Sequence, residues 1–164
     1  MPILAIGSKR ARADAGFSLV EAMAALMVVG LVIGGVLLAA PSADTAAKHE
    51  AQRLAARVLA ASDESILINR PLALVVTSEG YGFERLEHNG WIAAGHAAPL
   101  GFHAWPDDMN VSIAQRSGLA DDRRIARFDA LGGATPAIIV LGHEGAAWRV
   151  SIHGDGGVHV ARAQ

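Results

Sequence analysis

The sequence has no cysteine among its 164 residues, and only 5% of them are aromatic. Without cysteine, disulfide bridges, thiolate metal sites and cysteine nucleophiles are excluded. The scarcity of aromatic residues means that a core must be built mainly from aliphatic side chains. The net charge of −2 provides neither a basic field for nucleic acid nor an acidic tail. The missing cysteine is compatible with the periplasm and with the cytosol, so it does not decide the compartment.

A long apolar run, residues 17–40, carries Glu21 as its single charge. As a helix these 24 residues would measure about 36 Å, enough for a hydrocarbon core of roughly 30 Å. The run exceeds the roughly 7–15 apolar residues of a secretory signal peptide. Lys9, Arg10 and Arg12 precede it, and such cations stay on the cytoplasmic side. The sequence therefore predicts a retained transmembrane helix rather than a cleaved signal or a buried core helix.

Glu21 needs a counter-charge if it enters a membrane. A carboxylate there costs about 2.5–3.5 kcal/mol on insertion scales and usually marks function. A cut between Gly16 and Phe17 would create an α-amino group four residues from Glu21. The amine of an adjoining helix can then pair with this carboxylate. The alternative is that Glu21 simply reaches back to the lipid headgroups.

The stretch Gly16-Phe17-Ser18-Leu19-Val20-Glu21, between a basic leader and the apolar run, resembles the class III signal of type IV pilins and type II secretion pseudopilins. This resemblance implies that a prepilin peptidase removes residues 1–16 by cutting between Gly16 and Phe17. It also implies N-methylation of Phe17 and a role for Glu21 in docking onto a neighbouring subunit.

Gly30 and Gly34 form a GxxxG motif inside the apolar run. The motif favours close helix packing, either in the bilayer or in a filament core. Glycine is also common in membrane helices that lack such a role, so both interpretations stay open.

Residues 42–70 show the periodicity of an amphipathic helix. Ser42 or Asp44 is the predicted N-cap, and Pro71 ends the helix. Pro41 is predicted to kink one long helix between its apolar half and this stalk. The stripe of small and apolar residues consists of Ala47, Ala51, Leu54, Val58, Ala61, Ser65 and Ile68.

Residues 71–164 change to short alternating runs, which predict antiparallel strands. Turns are predicted at residues 88–90 and 154–157, where Asn, Asp and Gly tolerate positive φ. The pattern indicates a small β-sandwich or a partly open barrel. The predicted strands are 72–78, 81–87, 91–94, 109–115, 124–130, 137–142, 147–153 and 158–162.

Metal, catalytic and cofactor sites are not expected. His153, Asp155 and His159 flank one predicted hairpin, but zinc needs three or four ligands held by supporting contacts. Asp107-Asp108 and Asp121-Asp122 are loop pairs more typical of solvated turns than of a calcium site. Neither a nucleophile elbow nor a phosphate-binding glycine loop occurs in the required context. The sequence therefore predicts no enzyme, no cofactor and no small-molecule substrate.

Nucleic-acid binding needs a basic patch, and Arg123, Arg124 and Arg127 form the one candidate. Acidic residues adjoin this cluster. Without residues 1–16 the chain has 11 Lys and Arg against 15 Asp and Glu, a net charge of −4. No nucleic-acid partner is expected.

Several longer stretches extend the resemblance to the protein H minor pseudopilins of type II secretion, a family that includes FimT-like and FimU-like minor pilins. They are "SDESILINRPLALVV", "GYGFERLEHNGW", "RFDALGGATPAIIVLG" and "WRVSIHGDGGVHV". The implied fold is α+β and type IV pilin-like: a long N-terminal helix, with a membrane half and an amphipathic half, packed on a small antiparallel β-sandwich. The implied domains are a leader (1–16), a transmembrane helix (17–40), a stalk helix (42–70) and a periplasmic β-domain (71–164).

The resemblance implies a structural subunit near the tip of the periplasmic pseudopilus, which supports export of folded proteins across the outer membrane. The implied location is the inner membrane, crossed once, with the C-terminal domain in the periplasm. The implied partners are the prepilin peptidase, the major pseudopilin and the tip minor pseudopilins. Three alternatives remain: a minor pilin of a type IV pilus, a DNA-binding pilin of DNA uptake, and a membrane-anchored enzyme.

Overall fold

The computed structural model describes residues 18–39, 42–116 and 123–163. The chain divides into two compact units, Met1–Ala40 and Pro41–Gln164. In the first unit, helix α1 spans Leu19–Ala39, and the side chains of residues 19–33 are exposed. Among the described residues, no helix combines the length and apolar character needed to cross a membrane. The kink predicted at Pro41 falls on a residue outside the described ranges and stays a prediction.

Helix α2, Ala43–Leu67, opens the second unit and begins where the sequence predicts. Ser42 is the N-cap, with φ −66° and ψ 154°, and its hydroxyl accepts a hydrogen bond from the Thr45 amide at 3.3 Å. This contact confirms one of the two predicted caps and satisfies an amide that the helix itself leaves unpaired. The helix ends three residues before the predicted residue 70. Asn69 takes a left-handed φ of 51° ahead of Pro71, which turns the chain out of the helix.

The predicted stripe of α2 is the face that packs into the core. Its members from the second turn to the last are fully buried, and Ile68 is half-buried. Alanine at three of these positions lets the helix axis approach the strands closely. The fully buried members are Ala47, Ala51, Leu54, Val58, Ala61 and Ser65.

The described part of the second unit contains nine strands in two antiparallel sheets. The first sheet has the order β3-β2-β1-β6, with β4 also paired to β2, and the second has the order β5-β7-β8-β9. Helix α2 packs against both sheets, most extensively against β7, β8 and β9. The strands are β1 Leu72–Val76, β2 Gly80–Glu87, β3 Gly90–Ala93, β4 His103–Ala104, β5 Asn110–Arg116, β6 Arg124–Phe128, β7 Ala137–His143, β8 Ala146–Ile152 and β9 Val158–Arg162.

All eight predicted strands are confirmed, with ends within two residues of the predicted ones. Strand β4 lies between the predicted strands 91–94 and 109–115, where no strand is predicted. It pairs with β2 only through Gly80–Ala104 and Tyr81–His103, so it is too short to produce an alternating pattern. The core between α2 and the two sheets is mainly aliphatic, with Tyr81 and Phe128 as its largest fully buried side chains.

Candidate functional site

Glu21 lies in the first turn of α1 with an exposed side chain. The amides of Glu21 and Ala22 donate to the carbonyl oxygen of Ser18, at 2.9 Å and 3.1 Å, and so begin the helix. Within the described residues, Glu21 takes part in none of the ion pairs. Gly16 and Phe17 lie outside the described ranges. The processing site and the docking role of Glu21 therefore stay predictions.

Gly30 and Gly34 face open space. A Cβ atom built on either glycine would meet no atom within 4 Å outside the local helix backbone. The packing described for this chain therefore does not require glycine at these positions. A role in packing against another helix stays a prediction.

The predicted acidic and histidine clusters do not form a metal site among the described residues, where no three His, Cys, Asp or Glu side chains converge. Asp155 instead stabilises its turn, since its Oδ1 accepts a hydrogen bond from the Gly157 amide at 3.0 Å. Asp108 occupies a left-handed turn position with φ 60°. Asp121-Asp122 lies outside the described residues.

The arginine cluster on β6 is partly neutralised by the neighbouring strand β2. Arg124 donates from Nε to Glu84 Oε2 at 2.8 Å, and its Nη2 lies 2.7 Å from the same oxygen. The guanidinium groups of Arg124 and Arg127 lie 5.0 Å and 5.8 Å from the centre of the Trp91 ring. Arg123 and Arg127 are exposed. The sequence showed the three arginines, but not the Glu84 carboxylate that pairs with Arg124 or the Trp91 ring beside Arg124 and Arg127.

A buried polar cluster on α2 was missed by the sequence analysis. Glu50 and Arg57 lie outside the predicted stripe of α2, yet they are only 2% and 8% exposed. Arg57 donates from Nε to the Pro99 carbonyl oxygen at 2.7 Å, and a second guanidinium nitrogen donates to the Gly101 carbonyl. Arg57 thus fastens residues 99–101 to the helix. We call this arrangement the arginine clamp.

Glu50 lies near the arginine clamp. Its Oε2 accepts a hydrogen bond from Arg53 at 2.8 Å. Its Oε1 lies 3.2 Å from His103 Nε2, so the two groups form an ion pair when the imidazole is protonated. The two groups are not aligned for a hydrogen bond, and Oε1 has no hydrogen-bond partner among the described residues. The spacing of seven residues between Glu50 and Arg57 places both on one side of α2. That spacing was the only signal in the sequence that they share an environment.

Tyr81 completes the cluster. Its ring packs 4.6 Å from the Trp105 ring and 4.9 Å from the Arg57 guanidinium. Burial, followed by the charge of Glu50, raises the pKa of Tyr81 to about 12. The aromatic rings and the paired charges hold the segment between β3 and β5 against α2. The role of this cluster is therefore to stabilise the fold.

An apolar N-terminal helix, followed by an amphipathic helix packed on antiparallel sheets, is the architecture of a pilin-like protein. The sequence pattern described as the prokaryotic N-terminal methylation motif matches residues 11–39. The pattern described as type II transport protein GspH matches residues 50–156. The chain belongs to the type II transport protein GspH family.

Solved structures agree with this fold. The minor pseudopilin EpsH of the Vibrio cholerae type 2 secretion system is matched by two structures, both at 18% identity. Their TM-scores are 0.60 and 0.63, covering 71% and 75% of this chain and 96% and 99% of theirs. The solution structure of Escherichia coli GspH gives a TM-score of 0.60 at 16% identity, covering 74% of this chain and 91% of that one. No protein with curated functional information matches the sequence closely.

These findings confirm the resemblance to a minor pseudopilin of type II secretion, and they confirm the α+β, pilin-like fold. The family is a component of the periplasmic pseudopilus with an N-terminal anchor, and it assembles with other pseudopilins. The methylation motif implies processing by a prepilin peptidase.

Proposed function

We propose that this chain is a non-catalytic subunit near the tip of a periplasmic type II secretion pseudopilus, and that it supports export of folded proteins across the outer membrane. One observation carries the proposal: a methylation motif at residues 11–39 and a GspH pattern at residues 50–156 occur in one chain. The first supplies the means of assembly, and the second identifies the machine. The buried polar cluster of Glu50, Arg57 and Tyr81 supports a structural role, because the hydrogen bonds of Arg57 hold residues 99–101 against α2.

Residues 17–40 are the proposed inner-membrane anchor, with the C-terminal unit in the periplasm. This part of the proposal rests on the sequence of the whole apolar run and on the cations ahead of it. Prepilin peptidase cuts between Gly16 and Phe17, and Phe17 is N-methylated. Gly30 and Gly34 then let neighbouring helices approach closely.

Glu21 is the proposed docking residue. Its exposed carboxylate has no described counter-charge, and the amine of Phe17 on an adjoining subunit would supply one. In an apolar surrounding such a pair is strongly favoured, because either charge alone is expensive to bury. The direct partners are proposed to be the major pseudopilin and the tip minor pseudopilins.

Secretion in the native host tests whether the chain works in type II secretion or in a type IV pilus. Loss of the chain should leave exoproteins folded in the periplasm while surface pili and twitching motility stay intact. The full-length chain supplied on a plasmid should restore secretion. The opposite pattern, normal secretion with impaired surface pili, would instead identify a minor pilin of a type IV pilus.

Substitutions at the N-terminal motif test the assembly step. Glu21→Leu should insert and be cut normally, yet be missing from the assembled pseudopilus, whereas Glu21→Asp should retain part of the incorporation. Replacing Gly16 by a bulky residue should leave the precursor uncut, as mass spectrometry of residues 1–16 would show. Unimpaired incorporation of Glu21→Leu would show that the carboxylate has no docking role.

A further inference from the structure

A cluster of polar and aromatic side chains surrounds the first turns of α2. Trp148 donates from Nε1 to Asp44 Oδ1 at 3.1 Å, and Arg162 Nη2 lies 3.6 Å from the same oxygen. Trp148 and Arg162 are opposite each other in the ladder of β8 and β9, so they project from the same face of the sheet. Lys48 Nζ lies 5.4 Å from the centre of the Trp148 ring. We call Lys48, Trp148 and Arg162 the cation-indole patch.

The cation-indole patch is accessible and keeps a positive charge. Arg162 is 67% exposed, Lys48 is exposed and Trp148 is half-buried. Asp44 offsets one of the two cations. Lys48 takes part in none of the ion pairs of the described residues, so its ammonium group is available to an anion.

Two further charges lie near the patch along the chain, and they have opposite signs. Glu144 is in the turn before β8, and Arg149 follows Trp148. Both side chains are exposed. Because side chains alternate along a strand, Arg149 projects from the opposite face of β8. It is therefore a cation next to the patch in sequence but outside the patch in space.

The covalent chain keeps the patch close to the proposed membrane anchor. Ala40 is the last residue of the apolar run, and Asp44 is four residues later. Such a stretch spans at most about 14 Å, whatever its conformation. The polar layer of one leaflet is roughly 5–7 Å thick, and long Lys and Arg side chains extend well beyond their own backbone. The patch, which contacts Asp44, is therefore within reach of lipid headgroups.

We propose that the cation-indole patch binds phosphate groups of inner-membrane lipids and holds the C-terminal unit on the periplasmic face of the membrane before assembly. Tryptophan side chains concentrate at membrane surfaces, because an apolar ring with a polar N–H suits the headgroup layer. Ammonium and guanidinium groups bind phosphate oxygens through charge-assisted hydrogen bonds. Incorporation into the pseudopilus, which withdraws the anchor from the lipid, would break these contacts. This inference rests on the proposed inner-membrane anchor and adds a lipid-binding surface outside it.

Tryptophan fluorescence of the full-length chain in lipid vesicles tests the contact. The vesicles contain phosphatidylcholine and phosphatidylglycerol, with a nitroxide quencher either on the headgroup or deep in the acyl chain. The chain has three tryptophans, of which Trp105 is only 9% exposed. The headgroup nitroxide should quench the wild type, and Trp148→Phe should remove most of this quenching. Stronger quenching by the deep nitroxide would contradict a headgroup contact.

Trp91→Phe is the matched control. Trp91 pairs with Leu86, whose amide donates to the Pro71 carbonyl oxygen at 3.0 Å, beyond the C-terminal end of α2. Asp44 is at the other end of this helix, which has 25 residues and is about 37 Å long. Headgroup quenching should therefore persist in Trp91→Phe. Equal quenching of Trp148→Phe and Trp91→Phe would overturn the proposal.

Charge reversal provides the second measurement and leaves Trp148 in place. Lys48→Glu and Arg162→Glu replace exposed side chains, so the fold should be retained. Each should lower the headgroup quenching of Trp148, and the two together should lower it several-fold. Arg149→Glu makes the same change of charge on the opposite face of β8 and should leave the quenching unchanged. Unchanged quenching in the double variant, or an equal loss in Arg149→Glu, would overturn the proposal.

Flotation of the same vesicles separates this inference from the proposed function. A chain that floats with the vesicles and restores secretion in its host, but whose Trp148 is not quenched, contradicts the headgroup contact alone. A chain that neither floats with the vesicles nor restores secretion contradicts the proposed function as an inner-membrane subunit.

Discussion

Arg57 of α2 donates a 2.7 Å hydrogen bond to the carbonyl oxygen of Pro99, which is 42 residues away along the chain. The guanidinium is almost fully buried, and its other hydrogen bond goes to Gly101. This residue therefore connects the stalk helix to the long segment between β3 and β5. The core alone would not position residues 96–99 of that segment, because they are exposed.

Arg57→Ala should lower the free energy of unfolding of the 42–164 unit by about 2–3 kcal/mol, because two carbonyl groups lose a charged donor. Urea unfolding followed by circular dichroism measures the change. Gln52→Ala, at an exposed position of the same helix, should change it by less than about 0.5 kcal/mol. Equal effects of the two substitutions would show that the arginine clamp contributes little.

Trp148 donates from Nε1 to Asp44 Oδ1 at 3.1 Å and so joins the first turn of α2 to β8. Asp44→Ala removes this acceptor, and we expect a loss of about 1 kcal/mol. The free energy of unfolding from tryptophan fluorescence checks this value. Glu64→Ala, which removes a carboxylate with no described partner on the same helix, is the matched control. A smaller loss for Asp44→Ala than for Glu64→Ala would contradict the assignment.

Ionised Glu87 should stabilise the 42–164 unit, and this contribution should be lost in acid. The hydrogen bond from Arg85, with a contribution from Arg70, holds the pKa of Glu87 below its usual value. A carboxyl with a lowered folded-state pKa stabilises the fold above its unfolded-state pKa, and this contribution is lost as the pH falls through the folded-state value. The urea midpoint of Glu87→Gln should therefore lie below that of the wild type at pH 7. The two midpoints should converge in acid; a constant difference at all pH values would contradict this.

Tyr81 should ionise at an unusually high pH, and its ionisation should destabilise the 42–164 unit in alkali. It is the only tyrosine, so the absorbance change at ionisation reports on it alone. Burial raises its pKa to about 12, and a raised folded-state pKa means that stability is complete below about pH 10 and is lost above it. An absorbance midpoint near pH 10 in the folded unit would contradict the burial. Tyr81→Phe should abolish the absorbance change.

Gly30→Leu should leave processing intact and reduce incorporation into the pseudopilus. A Cβ at this position would meet no described atom within 4 Å outside the local helix backbone, so we expect the larger side chain to act through a neighbouring helix. Ala25→Leu makes a similar increase in volume on a different side of α1 and serves as the control. The measurement is the ratio of assembled to total chain after cross-linking in cells. Equal ratios for both variants would argue against packing at the GxxxG motif.

Elements that follow from neighbouring residues were predictable from the sequence. The Ser42 cap depends on a contact three residues away, and the α2 stripe depends on the period of a helix. Eight strands followed from alternation and from turns rich in Asn, Asp and Gly. The two residues of β4 were missed, because their pairing with β2 has no local pattern.

Contacts between distant segments were not predictable in this way. The burial of Glu50 and Arg57 depends on a loop about fifty residues later, and the neutralisation of Arg124 depends on Glu84 across the sheet. By itself the sequence determined the N-terminal motif, the helix face and the strand order along the chain, because these arise from short-range periodicity and turn chemistry. Only the tertiary structure decided which polar side chains are buried and that the turn after β6 contacts the end of α2 through Asp129 and the Ser65 hydroxyl. Those outcomes depend on long-range packing, which no local pattern encodes.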